Sequence, residues 1–555
     1  MATTDSPHHP HEEGSAIETL QSLIIAFVLA MTFRGFVTEG FVIPTGSMAP
    51  TLMGRHLLLQ SKQTGYTCPL DDRPVRVARQ RKQFGKTFAI SDPMLGANLT
   101  ISNPTARQLP SSRMGDRILV LKCLYPFSAP KRFDVVVFKN PTNPDGKDEN
   151  YIKRLVGLPD EKLLLVDGDV FVGDIDADVG DLKIQRKPEH VQRAVWQTIY
   201  DSDFMPLRPD KLDHAYRPPF GGQGWNTSAD RSFRCDTAEP SMLEWDLHQI
   251  PLTDWASYDM LMYSPRQRPS PTSRTPIFNI SDLRVSAGIV ADQPGFETTL
   301  ELVTRGHRFE FILKRREGTG QYEAVVQMTP IDNDGQAIGE TVRQPTENIK
   351  LRGAGRVINV EFWHVDQSLS IYLNGTRAVG PLEYDWGPRL RMENAYQLAY
   401  QEVLDLLPRA APNPARLRWH FRGSPVTLHR VRVDRDLYYQ PSKIYSYAHK
   451  NPELAKYAAL LEIGSPAFGT HPDKPAVIGP DQFLMLGDNS PFSSDSRLWG
   501  SPAPIVAAQI DDAPFLVNRK LLLGKAWVVY FPAPYPLRDG GRAVVPDFGR
   551  LRFIR

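Results

Sequence analysis

The sequence predicts a mainly β protein of two or three domains, led by one membrane-spanning helix. Three observations carry this expectation. The run from Ala16 to Val37 is apolar and long enough to cross a bilayer, for which about 20 residues suffice. Between residues 177 and 441, short runs of alternating polarity recur between turn residues, the spacing of an antiparallel sandwich. At 555 residues the chain is too long for one core, and its 48 prolines suit turns and strands.

Composition excludes several function classes. The formal net charge of +2 offers no basic stripe for nucleic acid. The three cysteines, Cys68, Cys123 and Cys235, lie far apart, lack a CxxC spacing and cannot make a four-thiolate zinc site; at most one disulfide is compatible with them. No metal or other cofactor is expected.

Residues 1–15 read as a polar, solvated tail, and the cluster His8, His9, His11 is read as part of it rather than as a metal site. Residues 16–38 form the expected span. Between Leu20 and Phe33 the polar residues are Gln21, Ser22 and Thr32, and Arg34 is expected to snorkel to an interface. A cleaved signal peptide is the rival reading, but no basic segment precedes the run. The first 15 residues hold no Lys or Arg, so charge alone does not orient the span.

A first β part is expected over 39–176. It opens on Phe41–Leu52, where Pro44 and Gly46 impose a turn or extended backbone and leave Ser47 on irregular chain beside the membrane. A serine becomes a nucleophile only with a base. Strands are expected at Leu57–Leu59, Arg117–Lys122 and Asp134–Lys139, and a hairpin at Lys162–Val166 and Asp169–Val172 across Asp167-Gly168. Residues 61–113, rich in Arg, Pro and Ser, read as a surface excursion. Its Gly85-Lys86-Thr87 is no P-loop, because Gln80 stands where the first glycine belongs. Lys153 lies among apolar and β-branched neighbours. It is either a snorkelling strand lysine or a buried amine of lowered pKa that can act as a base. Ser128 and Lys131 match S-x-x-K, but the companion motifs of that chemistry are missing.

The inserted sandwich is expected over 177–441, with strands at Leu283–Ile289, Thr298–Thr304, Phe309–Lys314, Glu323–Met328, Val357–Trp363, Leu369–Leu373 and Val426–Val433. Asn394–Leu407 reads as one helix ended by Pro408. A connector over 442–475 holds a second helix, capped at Asn451-Pro452. The second β part, 476–555, opens with a strand at Phe483 that runs into a polar loop reaching Gly500. That loop lacks the alternating carboxylates and closing Glu of a calcium site. Leu521–Phe531 reads as a closing strand.

Four blocks in order resemble bacterial type I signal peptidases: the span followed by Pro44-Thr45-Gly46-Ser47-Met48-x-Pro50-Thr51-Leu52; Gly115-Asp116-Arg117 with Lys131-Arg132-x-Asp134-Val135-Val136-Val137-Phe138; Tyr151-Ile152-Lys153-Arg154-x-x-Gly157-Leu158-Pro159; and Gly487-Asp488-Asn489 to Asp495-Ser496-Arg497-x-Trp499-Gly500. The resemblance implies a signal-peptidase-type antiparallel β domain and a Ser/Lys dyad, with Ser47 as nucleophile and Lys153 as base. It implies that Thr45 contributes to an oxyanion hole, that Ser493 orients the lysine, and that Asp495 and Arg497, with Arg154, support the site. It also implies that Phe41, Ile43, Pro44, Met48, Leu52, Tyr151 and Ile152 line pockets for the small residues of a signal-peptide cleavage site. The sandwich is far larger than the family's usual second domain, and its Val360–Gly375 and Val431–Tyr439 runs resemble a laminin-G or concanavalin-type jelly roll.

These readings imply a single-pass protein of the inner membrane that cleaves signal peptides from exported preproteins, with its catalytic part on the periplasmic side. Its partners would be preproteins, the lipid bilayer and a glycan or protein ligand of the sandwich, with no nucleic acid. The sandwich is expected to be an independent module. The rival is a membrane-tethered glycan- or protein-binding protein with an inert peptidase-like domain; the presence of Ser47, Lys153 and Ser493 together argues against it.

Overall fold

The computed structural model describes residues 16–80, 88–95, 97–101, 112–145, 149–212, 216–261, 277–351, 353–407, 411–441, 464–536 and 544–555. A helix at Ala16–Thr32 continues as a π-helical turn, Phe33–Val37, and passes directly into the strand Thr38–Val42. The stretch Glu18–Val37 has a mean hydropathy of 1.8 and none of it is covered by the rest of the chain. With no apolar partner among the described residues, its side chains suit a lipid-like environment or another chain.

Two antiparallel sheets make up the β part of the site. The larger runs in the order Thr38–Val42, Arg117–Leu121, Leu522–Phe531, Val135–Lys139, Asn150–Gly157, Gln482–Leu486, Val517–Asn518, with Arg552–Phe553 added beside Leu522–Phe531. β-branched runs such as Val135-Val136-Val137 supply its centre, where both faces are covered and continuous apolar sequence is required. The smaller sheet runs Lys183–Ile184, Asp169–Asp174, Glu161–Val166, Ala476–Ile478. In both sheets, strands from before the long insertion pair with strands from after it: Leu155 faces Met485, and Leu163 faces Ala476. The fold closes only when the two ends of the chain meet.

Between them lies a β-sandwich. One sheet follows the order Trp225–Thr227, Phe233–Cys235, Val426–Arg435, Leu283–Ala291, Ile358–Val365, Ser368–Leu373, Thr376–Glu383, with Gln197–Asp201 also on Val426–Arg435. The other follows Phe220–Gly221, Ser241–Trp245, Arg416–Arg422, Glu297–Thr304, His307–Arg315, Tyr322–Pro330, Val342–Ile349. Every sandwich strand expected from alternation is present. In Glu297–Thr304 buried and half-buried residues alternate without a break, the two-residue period of a strand with one face in a core. Leu300, Phe311, Phe362 and Trp419 meet in that core, and the Trp419 indole N–H is satisfied by Thr298 Oγ1 at 2.7 Å.

Three features differ from the sequence reading. The single helix expected at Asn394–Leu407 is two, Pro388–Tyr396 and Tyr400–Leu406. Pro388 starts the first, and Gln397, at φ 53°, turns the chain left-handed and ends it. The stretch 61–113, expected on the surface, holds the strand Thr67–Asp71 and the helix Arg73–Gln80. It buries Cys68, Leu70 and Val75 with Met260, and Met94 enters the sandwich core. The insertion is also not separate from the sheets beside it. The two helices pack Met392 and Val403 onto Leu164, Val166 and Phe171 of the smaller sheet. The Asn451-Pro452 helix lies outside the described residues.

Candidate active site

Ser47 sits in a single 3₁₀ turn, Gly46–Met48, between extended Thr45 and extended Ala49. Gly46 and Pro44 prevent a longer helix, so Ser47 is held on a tight bend at the end of the sheet. Lys153 comes from Asn150–Gly157, a central strand whose neighbours Val135–Lys139 and Gln482–Leu486 fix its register at Val136 and near Met485. The two residues, far apart in sequence, meet: the Lys153 amine donates to Ser47 Oγ at 2.7 Å. Ser47 is 9% exposed and Lys153 4%.

Burial controls the lysine. Taking the ammonium out of water lowers its pKa to about 8; Asp495 pulls it up and Arg497 pushes it further down. The Asp495–Arg497 pair is itself fully buried, with Arg497 Nε 2.8 Å from Oδ1 and Nη2 2.8 Å from Oδ2. Burial alone would raise the Asp495 carboxyl, but the guanidinium and the Gly487 N–H hold it below the ordinary range. The remaining Arg497 donors tie the loop down through Ser490 Oγ, Ser490 O and Gln440 O.

Other expected residues fall out differently. Arg154 does not join Asp495 and Arg497. It makes its own fully buried bidentate pair with Asp488, at 2.8 and 2.6 Å, because its strand position points it to the opposite side from Lys153. Ser493 is buried close to the dyad, yet its Oγ has no hydrogen-bond partner among the described residues, so the expected bond to Lys153 is not formed. Thr45 is exposed beside Ser47, and Pro44 is exposed before it. Of the residues expected to line pockets, Phe41, Tyr151 and Ile152 are half-buried, whereas Met48 and Leu52 have no exposed surface. With Ile43, Met48 and Leu52 join the core of Ile118, Val120 and Val137.

The sequence reading assigned no role to Asp488, Asn489, Tyr258 or Asp259. The Asn489 N–H donates to Ser47 O at 3.0 Å, and its carboxamide donates to Gly46 O at 3.1 Å. The Gly487-Asp488-Asn489 motif carried that signal. Tyr258 and Asp259, contributed by the insertion, carried none.

Three buried carboxylates at the junction, Asp169, Asp282 and Asp366, lie close enough together to hold a metal ion. Lys187 reaches Asp366 at 2.5 Å, and Arg391 reaches Asp169 at 3.1 Å. Lys187 and Arg391 thus balance part of the charge of these carboxylates.

The model of the family described as "Signal peptidase, peptidase S26" matches residues 16–89 and 98–206. Signal peptidase I of Buchnera aphidicola subsp. Baizongia pistaciae is 35% identical over 128 residues, which cover 20% of this chain and 39% of that protein. Signal peptidase I of Rickettsia bellii is 25% identical over 155 residues, 28% of this chain and 38% of that protein. The chain thus spans well under half the length of these relatives. Among solved structures, a carbohydrate-binding module from Bacillus subtilis has 8% identity and a TM-score of 0.20, covering 39% of this chain and 95% of that one. A galectin from Caenorhabditis elegans has 14% identity and a TM-score of 0.17, covering 28% and 83%. Likeness at that level leaves the sandwich to be read from its own contacts. The ordered motifs and the matched segments together show that the region holding Ser47 and Lys153 is similar to the signal peptidase, peptidase S26, family; most of the β-sandwich lies beyond the match.

Proposed function

We propose that the chain is a membrane-anchored serine endopeptidase that removes N-terminal signal peptides from exported preproteins. The observation that supports this best is the 2.7 Å hydrogen bond between the Lys153 amine and Ser47 Oγ in a buried site. Neutral Lys153 takes the proton from Ser47 Oγ as that oxygen bonds to the scissile carbonyl carbon. The ammonium then gives the proton to the leaving amine as the C–N bond breaks. Water, deprotonated by the same amine, hydrolyses the acyl-enzyme. The carbonyl oxygen becomes an oxyanion near the Ser47 N–H and the Thr45 hydroxyl, where one donor is worth about 3–4 kcal/mol. Phe41, Tyr151 and Ile152 would meet the substrate on the half-buried face of the site.

The helix Ala16–Thr32 with its π-turn is the anchor in this reading. Because it feeds straight into the edge strand Thr38–Val42, it holds the site at the bilayer surface, where a translocated signal peptide ends. Cleavage follows translocation, so the catalytic part lies on the exported side.

The direct test uses the detergent-solubilised chain and a preprotein with a small-x-small cleavage site. Ser47→Ala and Lys153→Ala should each abolish cleavage with unchanged membrane insertion. The double variant should be no worse than either, since groups that act as one unit do not add. Near-normal turnover in Lys153→Ala refutes the dyad.

A further inference from the structure

The loop that carries Ser47 is held from the side of the insertion. A Cβ built on Gly46 would lie 2.2 Å from Tyr258 Cε1, so the Tyr258 ring rests directly on the residue before the nucleophile. Ala49, Met53 and Tyr258 form one buried cluster beside it. Asp259, next in the chain, is fully buried, and its Oδ1 accepts from Asn489 Nδ2 at 3.1 Å. The same Asn489 nitrogen donates to Gly46 O, and the Asn489 N–H donates to Ser47 O. One residue of the peptidase loop thus fixes both carbonyls of the Gly46–Ser47 bend, and one residue of the insertion fixes that residue.

We propose that Asp259 is a positioning residue for Ser47: through Asn489 it sets the placement of the nucleophile, so the inserted segment completes the peptidase site. This inference rests on the peptidase reading above for its kinetic consequence, but the placement itself can be measured apart from it.

The unmatched atoms around Asp259 support the assignment. Asp259 Oδ2 and Asn489 Oδ1 are both buried acceptors without a hydrogen-bond partner among the described residues. A buried carboxylate oxygen left without a donor is unfavourable, and a proton on Asp259 relieves that cost. Burial, reinforced by the charge of Asp71 on the strand Thr67–Asp71, pushes the Asp259 carboxyl well above the ordinary carboxylate range. The Asn489 donor acts against this, as do Arg73 of the neighbouring helix and Arg435 at the end of a sandwich strand. A neutral acid at 259 turns one of the two acceptors into a donor. Its closest substitute is then a carboxamide, which carries one acceptor and one donor.

The test compares Asp259→Ala, Asp259→Leu and Asp259→Asn in the full chain in detergent. Leu fills the space without a polar group, which keeps the comparison informative where Ala destabilises the fold. Ala and Leu should lower kcat on a preprotein about 10- to 100-fold with KM within about threefold, because the lost interaction positions the reacting oxygen and does not bind the substrate. Asn should stay within about threefold of the parent in both. The second readout uses Ser47→Cys and the pH dependence of its alkylation by iodoacetamide. A thiol held beside the Lys153 ammonium should titrate below the free value of about 8.5. Adding Asp259→Ala or Asp259→Leu should return it toward that value, and adding Asp259→Asn should not. Parent-like kcat and thiol titration in the Ala and Leu variants overturn the assignment. So does a change confined to KM, or an Asn variant as impaired as Ala. A chain that cleaves no preprotein yet shows the Asp259-dependent thiol shift overturns the peptidase reading and leaves the positioning role standing.

Discussion

Lys153 must be buried to lose its proton, and burial is what an ammonium resists. With a pKa of about 8 in the folded protein, its neutral fraction grows as pH rises. The cleavage rate should therefore climb through a single limb centred near 8 and be flat above it; a profile that peaks in acid would point to carboxylate chemistry instead. The same shift acts on stability. The unfolded lysine titrates near 10.4, so between pH 8 and 10.4 the unfolded chain binds a proton that the native one does not. Stability from this group rises with pH across that window, and below pH 8 its penalty is complete, about 3 kcal/mol at 1.36 kcal/mol per pKa unit. Lys153→Met should thus abolish cleavage and stabilise the fold at pH 7 by about 1–3 kcal/mol. By denaturant titration the gain should vanish above pH 10.4. A gain that persists there would trace to packing rather than to charge. Thr45 is tested by substitution as well. Thr45→Ser should be mild, whereas Thr45→Val, which deletes the hydroxyl, should lower kcat by about 10²–10³-fold.

The elements that meet at the site do so at van der Waals limits. Gly487 lies where the strand Gln482–Leu486 turns into the catalytic loop, and a Cβ there would lie 2.2 Å from Ser493 Oγ and 2.5 Å from Ser47 O. The second neighbour is backbone and cannot swing aside. Gly487→Ala should displace the nucleophile bend and lower kcat at least about 100-fold, while global unfolding shifts little, since a misplacement of about 1 Å costs that much rate. An Ala variant with parent kcat would show that the bend tolerates the shift. On the other side of the strand Asn150–Gly157, the Arg154–Asp488 pair is sealed from water. Asp488→Ala leaves a buried guanidinium without its counter-charge and should destabilise the fold by about 3–5 kcal/mol, read from the thermal midpoint. The alternation of that strand sends Lys153 to Ser47 on one face and Arg154 to Asp488 on the other.

At the scale of the whole chain, the sandwich is keyed to the peptidase sheets by buried charge. Arg305 of the sandwich reaches both oxygens of Asp167, in the hairpin turn, at 2.7 and 2.8 Å, and Arg391 reaches the same carboxylate at 2.9 Å. All three side chains are at most 1% exposed. Tyr438 closes over Gly168, where φ is +90° and a Cβ would lie 2.3 Å from the Tyr438 ring. An independent module joined by flexible linkers would show none of this. Replacing residues 180–440 by a short Gly/Ser linker, which an independent module would tolerate, should instead give a chain that does not cleave and unfolds without a cooperative transition. Asp167→Ala, a far smaller change, should destabilise the full-length protein by about 3–5 kcal/mol, because two buried guanidinium groups lose their shared partner. A soluble, active deletion variant would return the sandwich to the role of a passenger.

Local patterns in the sequence determined the apolar helix, the sandwich strands and the Ser47 bend. Each rests on interactions that span a few residues: hydropathy, two-residue alternation, and the backbone limits of Pro44 and Gly46. The break at Gln397 escaped it, because nothing in that residue type demands a left-handed backbone. What the tertiary structure alone decided is which distant side chains share a buried volume. Arg154 chose Asp488 over Asp495, Met48 and Leu52 joined the core of Ile118 and Val120, and Tyr258 and Asp259 came in from the insertion beside the Gly46–Ser47 bend. In each case the deciding quantity is desolvation. A buried charge or amide must find its partner wherever the fold places one, and that place is set by strand register and packing across hundreds of residues, which no local pattern encodes.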